Sequence, residues 1–303
     1  MRVTQSMLSN NMLRNLSTSY NKMGKLQDQL VTGSKVNRPS DDPVVAMKGM
    51  AYRMQVDKVD QYKRNLGEVH NWLDTSDDAL DHVGEALKRL QELTTDAAND
   101  TKTDEDRDKI LKEIKQLQEQ IRDLGNTKVG DKYLFSGTKT GTPLFGKAEN
   151  GDVTIGGEVP PATPVDGFTS PVSIEVFDGV ELNVNTNGHE LFSKLESMMN
   201  ELISSVESNQ GGPEISKHLE HINTAQNLVL ESRADIGARQ NRAEMMENRL
   251  DSQEVISKKQ MSENEDIDYE KVITEMITQE SVHRAALSVG ARIIQPSLVD
   301  FLR

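Results

Sequence analysis

The most restrictive feature of this chain is a proline-free stretch that runs from Val44 to about Ala98. Apolar residues recur through it at steps of three, four or seven, which places them on one side of an α-helix. They are Val56, Val59, Leu66, Val69, Leu73, Leu80, Val83, Leu87, Leu90 and Leu93. A helix of this length extends about 80 Å. The stretch therefore predicts a long helix that needs a long partner helix, and it argues against a compact globular core.

Further helical segments supply candidate partners. Thr103 and Asp106 form a variant capping box ahead of a shorter helix that we expect to end near Gly125. Helical spacing returns at Glu190, and the longest uninterrupted pattern opens at Glu214. Its apolar positions are separated by a second stripe that is polar, made of Gln226, Arg233, Gln240 and Glu247. We predict a mainly α fold, a long antiparallel helical rod or coiled-coil bundle, in which this polar stripe weakens the coiled-coil character.

Residues 128–188 have a different composition. They hold five of the nine prolines and half of the 20 glycines. Between these turn residues lie short runs rich in Val, Ile and Phe, such as residues 172–177, which are typical of short strands. We predict a small β insert within the helical chain.

Both termini carry heptad-like stripes that are only partly apolar. Residues 1–40 have a net charge of +5 and residues 263–303 a net charge of -4, so pairing of the two ends is electrostatically favoured, in either a parallel or an antiparallel sense. Neither stripe is apolar enough to fold alone, and we expect these segments to order as paired helices against neighbouring subunits.

The sequence thus predicts an assembly interface built from the two ends of the chain. Its candidate residues are Leu13, Leu16, Tyr20, Met23, Leu30, Ile273, Met276, Leu287, Ile294, Leu298 and Phe301. We expect the N-terminal members to face the C-terminal members of the same subunit or their copies in adjacent subunits.

These patterns divide the chain into five segments. We expect an N-terminal assembly helix and turn at 1–43, rod helices at 44–127, and the β-rich domain at 128–188. Returning rod helices follow at 189–262, and a C-terminal assembly helix occupies 263–303.

Composition excludes several classes of function. The net charge of -14 opposes binding to nucleic acids and anionic lipids, and the lack of cysteine excludes disulfides, zinc-thiolate sites and thiol nucleophiles. The sequence contains no apolar run long enough to span a membrane, and residues 1–6 do not resemble a cleavable secretory signal. We therefore expect neither a nucleic-acid partner nor membrane insertion.

Candidate chemical sites are weak. Glu214, His218 and His221 have the spacing of metal ligands along one helix face, but a solvated helix surface accounts for the same residues. The acidic residues 104–108 lack the glycine and glutamate of a calcium loop and suit a helix N-terminus. No nucleotide-binding, hydrolase or zinc-protease motif is present. We predict no enzyme activity, no cofactor and no metal.

Five sequence motifs together resemble the flagellin superfamily. Thr32-Gly33 with residues 37–43 resembles the turn between the terminal helix and the first rod helix, and residues 71–80 resemble the rod-helix motif. Residues 233–242 resemble the returning-helix signature that flagellins share. Residues 133–140 and the ending at 295–302 are more similar to the hook-filament junction branch of the superfamily than to filament flagellins.

This resemblance implies a structural subunit of the bacterial flagellum, exported through the flagellar type III apparatus without a cleaved signal peptide. Its implied partners are copies of itself, the first hook-filament junction protein, flagellin and an export chaperone in the cytoplasm. Its implied location is extracellular, at the junction between hook and filament. Two alternatives remain open from the sequence: a filament-forming flagellin and a cytoplasmic helical adaptor.

Overall fold

The structure is a computed structural model that describes residues 5–99, 103–147, 153–158, 167–208 and 211–294. Within this described part the chain is mainly helical with a few short strands, which confirms the predicted fold class. The helices are α1 (Gln5–Thr32), α2 (Pro43–Ala97), α3 (Asp104–Gly125), α4 (Gly188–Glu207), α5 (Gly212–Glu265) and α6 (Tyr269–Ile294).

The chain separates into two compact units. One contains Met1–Lys58 and Ser252–Arg303, and the other contains Val59–Asp251. The first unit therefore holds α1, α6 and the adjoining ends of α2 and α5. The second holds the remainder of α2 and α5 together with α3, α4 and all the strands.

Within the second unit, α2 and α5 run antiparallel. Lys63 pairs with Asp251 near one end, and Gln91 hydrogen-bonds Asn223 near the other. The core of α5 is a seven-residue repeat of fully buried positions: Ile215, Ile222, Val229, Ile236, Ala243 and Leu250. α2 contributes the buried apolar positions that its spacing predicts from Val59 to Leu93. Burial of each such Val, Ile or Leu side chain stabilises the pair by about 1.5 to 3 kcal/mol.

The polar stripe on α5 contacts polar groups on α2, also at seven-residue intervals. Gln226 Nε2 donates to Gln91 Oε1 at 3.1 Å, and Gln240 Nε2 donates to Asp74 Oδ1 at 2.8 Å. Arg233 bonds the carboxylates of Asp77 and Asp81, which raises its pKa. The stripe is thus a set of cross-helix contacts rather than a break in the helical pairing, and it favours one register between the two helices.

α3 and α4 extend this unit into a four-helix arrangement. α3 begins as predicted, with the Thr103 hydroxyl accepting from the Asp106 backbone amide. Gln118 on α3 donates to Glu196 on α4 at 2.9 Å, and the buried Glu196 also pairs with Arg122. Arg89 joins α2 to Glu113 on α3. α4 in turn lies beside α5, where Ser205 contacts His218 at 2.9 Å.

The β portion consists of three antiparallel hairpins in the described residues. They are β1 (Lys128–Val129) with β2 (Lys132–Tyr133), β3 (Phe145–Lys147) with β4 (Val153–Ile155), and β5 (Ser173–Phe177) with β6 (Val180–Asn183). Phe135 and Phe145 pack edge-on against Phe192 of α4, with ring centroids 5.1 and 5.8 Å away. Gly188 lets α4 begin against Phe135, since a Cβ there would lie 2.4 Å from the Phe135 Cβ.

None of the helices in the described part of the chain combines the length and the hydropathy that a bilayer crossing requires.

Buried His189, at the start of α4, should make stability fall in mild acid. Burial lowers its pKa below the usual value, against a weaker opposing effect of Glu158. The unfolded chain then binds the proton more readily, so this stability is present above a pH of about 6.5 and decreases as the pH falls from there through the folded-state pKa. Urea unfolding at pH 7 and pH 5 should show a smaller difference for His189→Gln than for the wild type. If the two proteins lost the same stability between pH 7 and pH 5, His189 would not be the source of the pH dependence.

Candidate assembly interface

α1 and α6 form an antiparallel pair within one chain. The Gln279 side chain donates to the Ser19 hydroxyl at 2.8 Å, and the rings of Tyr20 and His283 lie 6.2 Å apart. Farther along, Met12 of α1 lies over Gly290, where a Cβ would approach its methyl group within 2.8 Å. The antiparallel sense resolves the alternative that the sequence left open. Both helices of this pair belong to the same chain, which is one of the two pairings expected for the interface residues.

The turns at the ends of this pair are joined by backbone hydrogen bonds. Gly33 ends α1 in the left-handed region, with φ at 71°, and its carbonyl accepts from the Ile267 amide at 3.1 Å. The Lys35 amide donates to the Glu265 carbonyl at 2.7 Å, and the Lys35 ammonium donates to the Glu263 carbonyl at 2.7 Å. The Thr32-Gly33 motif therefore sets the end of α1, and the turn that follows it is hydrogen-bonded to the connection between α5 and α6.

An ion pair fastens the start of α2 to the end of α5. Arg53 Nε and Nη2 lie 3.1 and 2.6 Å from Glu265 Oε2, and this contact raises the pKa of Arg53. Gly49 makes the approach possible, because a Cβ there would lie 2.4 Å from Glu265 Oε1. This ion pair thus holds α2 and α5 together close to the points where the chain continues into α1 and α6.

The structure places the predicted interface residues in two groups. Leu16, Met23, Leu30 and Met276 are half-buried. Leu13, Tyr20, Ile273 and Leu287 are exposed, with 55, 65, 43 and 50% of their surface accessible. Ile294 ends α6, and its side chain lies outside the described residues, as do Leu298 and Phe301 altogether.

The sequence reasoning missed part of both groups. The buried positions of α1 and α6 also include Ser19, Val272 and Gly290, two of which carry no apolar side chain for a hydropathy pattern to detect. The exposed group extends to Met7, Leu8, Val31, Ile277, Val282 and Val289. The i, i+4 spacing of Ile273 and Ile277 could have indicated a second stripe. The exposed apolar residues of α1 and α6 lie on more than one side of each helix, and we call them together the outer stripe: Met7, Leu8, Leu13, Tyr20, Val31, Tyr269, Ile273, Ile277, Val282, Leu287 and Val289.

The arrangement suits contacts between helices more than chemistry. A single antiparallel pair can bury one side of each helix, so the outer stripe remains in solvent. Eleven large apolar or aromatic side chains on two neighbouring helices exceed the scattered exposure usual for a protein surface.

Two family models match the chain at the segments that build this pair. The model of the bacterial flagellin N-terminal helical region matches residues 3–140, and the model of the C-terminal helical region matches residues 219–302. Together they cover more than half of the sequence. The chain belongs to the bacterial flagellin family. This membership places it among structural proteins of the flagellum.

Individual relatives agree with this placement. The chain is 27% identical over 299 residues to flagellar hook-associated protein 3 of Escherichia coli K12, covering 93% of each chain. It is 23% identical over 288 residues to a flagellin of Halalkalibacterium halodurans, covering 93% of this chain and 92% of that one. A solved structure of a putative flagellar hook-associated protein from Vibrio parahaemolyticus matches with a TM-score of 0.65 at 24% identity. The match covers 75% of this flagellin-family chain and all of that one, and it shows the shared fold.

Proposed function

We propose that the protein is a structural subunit of the hook-filament junction, which polymerises at the hook tip and adapts the hook to the flagellin filament. The outer stripe carries this proposal, because it offers apolar contacts that a single chain does not cover. Similarity to flagellar hook-associated protein 3 over nearly the full length supports the junction role. The role is structural and not enzymatic.

The stripe suits contacts with several neighbours at once. In this proposal copies of the chain pack side by side, the first hook-filament junction protein lies on one side, and flagellin lies on the other. Each apolar side chain that becomes buried contributes about 1.5 to 3 kcal/mol. The interface comprises the predicted residues of 1–43 and 263–303, including Ile294, Leu298 and Phe301, while segments 44–127, 128–188 and 189–262 present it.

Export follows from the same proposal. The subunit reaches the hook tip through the flagellar type III apparatus without a cleaved signal peptide. A chaperone in the cytoplasm covers the outer stripe beforehand, since exposed apolar stripes favour premature association.

Deletion of the gene tests the junction role. We expect cells with completed hooks, no filament, and unpolymerised flagellin in the medium, because flagellin then has no surface on which to assemble. Electron microscopy of the hooks and immunoblots of the medium give the readout. Restoring the gene should restore filaments. Filaments of normal length in the deletion strain would contradict the proposal.

A filament-forming flagellin is the second candidate, and the full-length similarity to the Halalkalibacterium flagellin favours it. The number of subunits per flagellum separates the two. A junction subunit should appear in a short ring at the hook tip by immunogold labelling, whereas a filament subunit should label the entire filament. Retention of the intact chain inside the cell would favour a helical adaptor and contradict both.

A further inference from the structure

The seam between α4 and α5 brings together three side chains that bind metal ions in proteins. His218 and His221 lie three residues apart on α5, so they share one side of the helix, with ring centroids 5.8 Å apart. Glu201 faces them from α4, and its Oε2 is 4.0 Å from Nδ1 of His221. One nitrogen of each histidine and one oxygen of Glu201 all lie within 4.8 Å of one another.

The hydrogen bonding of His218 leaves one ring nitrogen available to coordinate a metal ion. Its Nε2 lies 2.9 Å from the Ser205 hydroxyl, which orients the ring, and its Nδ1 is buried with no hydrogen-bond partner in the described part of the chain. Burial lowers the pKa of His218, and the neighbouring His221 lowers it further, while Glu201 and Glu214 act in the opposite direction.

We propose that Glu201, His218 and His221 form a binding site for a divalent transition-metal ion such as Zn²⁺. Two imidazoles and one carboxylate are a ligand set that zinc uses in proteins, with water in the fourth position. Bonds of about 2.0 to 2.2 Å in a tetrahedron place the ligand atoms about 3.3 Å apart. The present separations of up to 4.8 Å are larger than this. Glu201 and His221 are exposed, so rotation of their side chains can bring the ligand atoms closer.

This site differs from the one that the sequence suggested. Glu214, the carboxylate considered there, pairs with Lys217 at 2.7 Å, and Glu201 from the preceding helix takes its place. Glu201 comes close to the two histidines because α4 packs antiparallel to α5, and the residue spacing within α5 does not reveal this packing. Glu201 and His218 also lie in the stretch between the two family matches, so the site is a property of this chain rather than of those models.

A bound ion would tie α4 to α5 close to the connection between them. Because all three ligands come together only in the folded unit, the ion binds the folded state in preference to the unfolded state and stabilises it. The site is remote in sequence from α1 and α6, so it is independent of the proposed junction role.

Calorimetric titration of the full-length, tag-free protein with ZnCl₂ tests the site, after dialysis against EDTA and then a non-coordinating buffer. We expect one Zn²⁺ per chain with a dissociation constant below about 100 μM, a higher midpoint of thermal unfolding in Zn²⁺, and no response to Mg²⁺. His218→Ala and His221→Ala should each weaken Zn²⁺ binding by more than about tenfold.

His82→Ala is the matched control, because it removes another histidine that lies 3.3 Å from a glutamate on a helix surface. It should leave the affinity unchanged, and circular dichroism should show that every variant keeps its helices. Absence of saturable Zn²⁺ binding by the wild type would overturn the proposal. Unchanged binding by a His218→Ala, His221→Ala double variant would do so as well.

Discussion

Replacing Phe192 with alanine should lower the free energy of unfolding of the second unit by about 3 to 5 kcal/mol. Phe192 is fully buried at the start of α4, where its ring meets Phe135 and Phe145 edge-on. Gly125 at the end of α3 also packs there, since a Cβ on it would lie 3.3 Å from the Phe192 ring. One side chain thus joins α3 and α4 to the segment after β2 and to the start of β3, and its removal leaves a cavity among groups that cannot all close on it.

Urea unfolding followed by Trp72 fluorescence measures this loss. Trp72 is the only tryptophan and is buried in α2 within the same unit, so its emission reports unfolding there. Phe177→Ala is the control. That ring is half-buried, with Tyr62 6.2 Å away and the Arg249 guanidinium 4.0 Å above it, so its loss should cost less than half as much. Equal losses for the two variants would show that Phe192 is not the centre of this cluster.

The helical part of the fold could be predicted because its signals are local. The proline-free stretch became α2, with Asp42 Oδ1 accepting from the Val44 and Val45 amides at its start. Thr103 marked the start of α3 for the same reason, since a capping side chain lies within three residues of the backbone amide that donates to it. Apolar spacing then identified which side of each helix is buried.

The polar stripe on α5 was harder to interpret from sequence. When α5 is considered alone, Arg233 and Gln240 interrupt its apolar side. In the structure they donate hydrogen bonds to Asp77 and Asp74 on α2. The sequence separation between partners exceeds 150 residues, and only the register of the two helices connects them. The packing of the hairpins could not be predicted for the same reason. Phe145 packs against Phe192, which belongs to a helix that begins more than forty residues later.

The candidate interface shows a related limit. Heptad counting found Leu16 and Met276, but it could not separate the side of each helix that faces its partner from the side that faces solvent. Ser19 and Gly290 complete the buried side because they are small, and Leu13 and Leu287 remain exposed because the partner helix lies elsewhere. That separation requires the three-dimensional pairing of α1 with α6.

Replacing Leu287 with aspartate should abolish incorporation into the flagellum while leaving the chain folded. Leu287 is 50% exposed in the outer stripe, so a carboxylate there is solvated in the single chain. In an assembly the same carboxylate would be buried against a neighbour, at a cost of several kcal/mol for each contact. A deletion strain that expresses the variant should export it and leave it in the medium, with hooks that lack filaments.

Leu230→Asp is the matched control for Leu287→Asp, because Leu230 is a leucine of similar exposure, 59%, on α5 outside the outer stripe. Its variant should restore filaments as the wild type does. Met276→Asp adds a contrast, since Met276 is half-buried and its change should loosen α1 from α6 before any assembly begins. Proteolysis of the purified monomers distinguishes these effects: the wild type and Leu287→Asp should give the same fragments, and Met276→Asp should release its ends faster. Normal filaments with Leu287→Asp would mean that other residues of α1 and α6 make the contact between subunits.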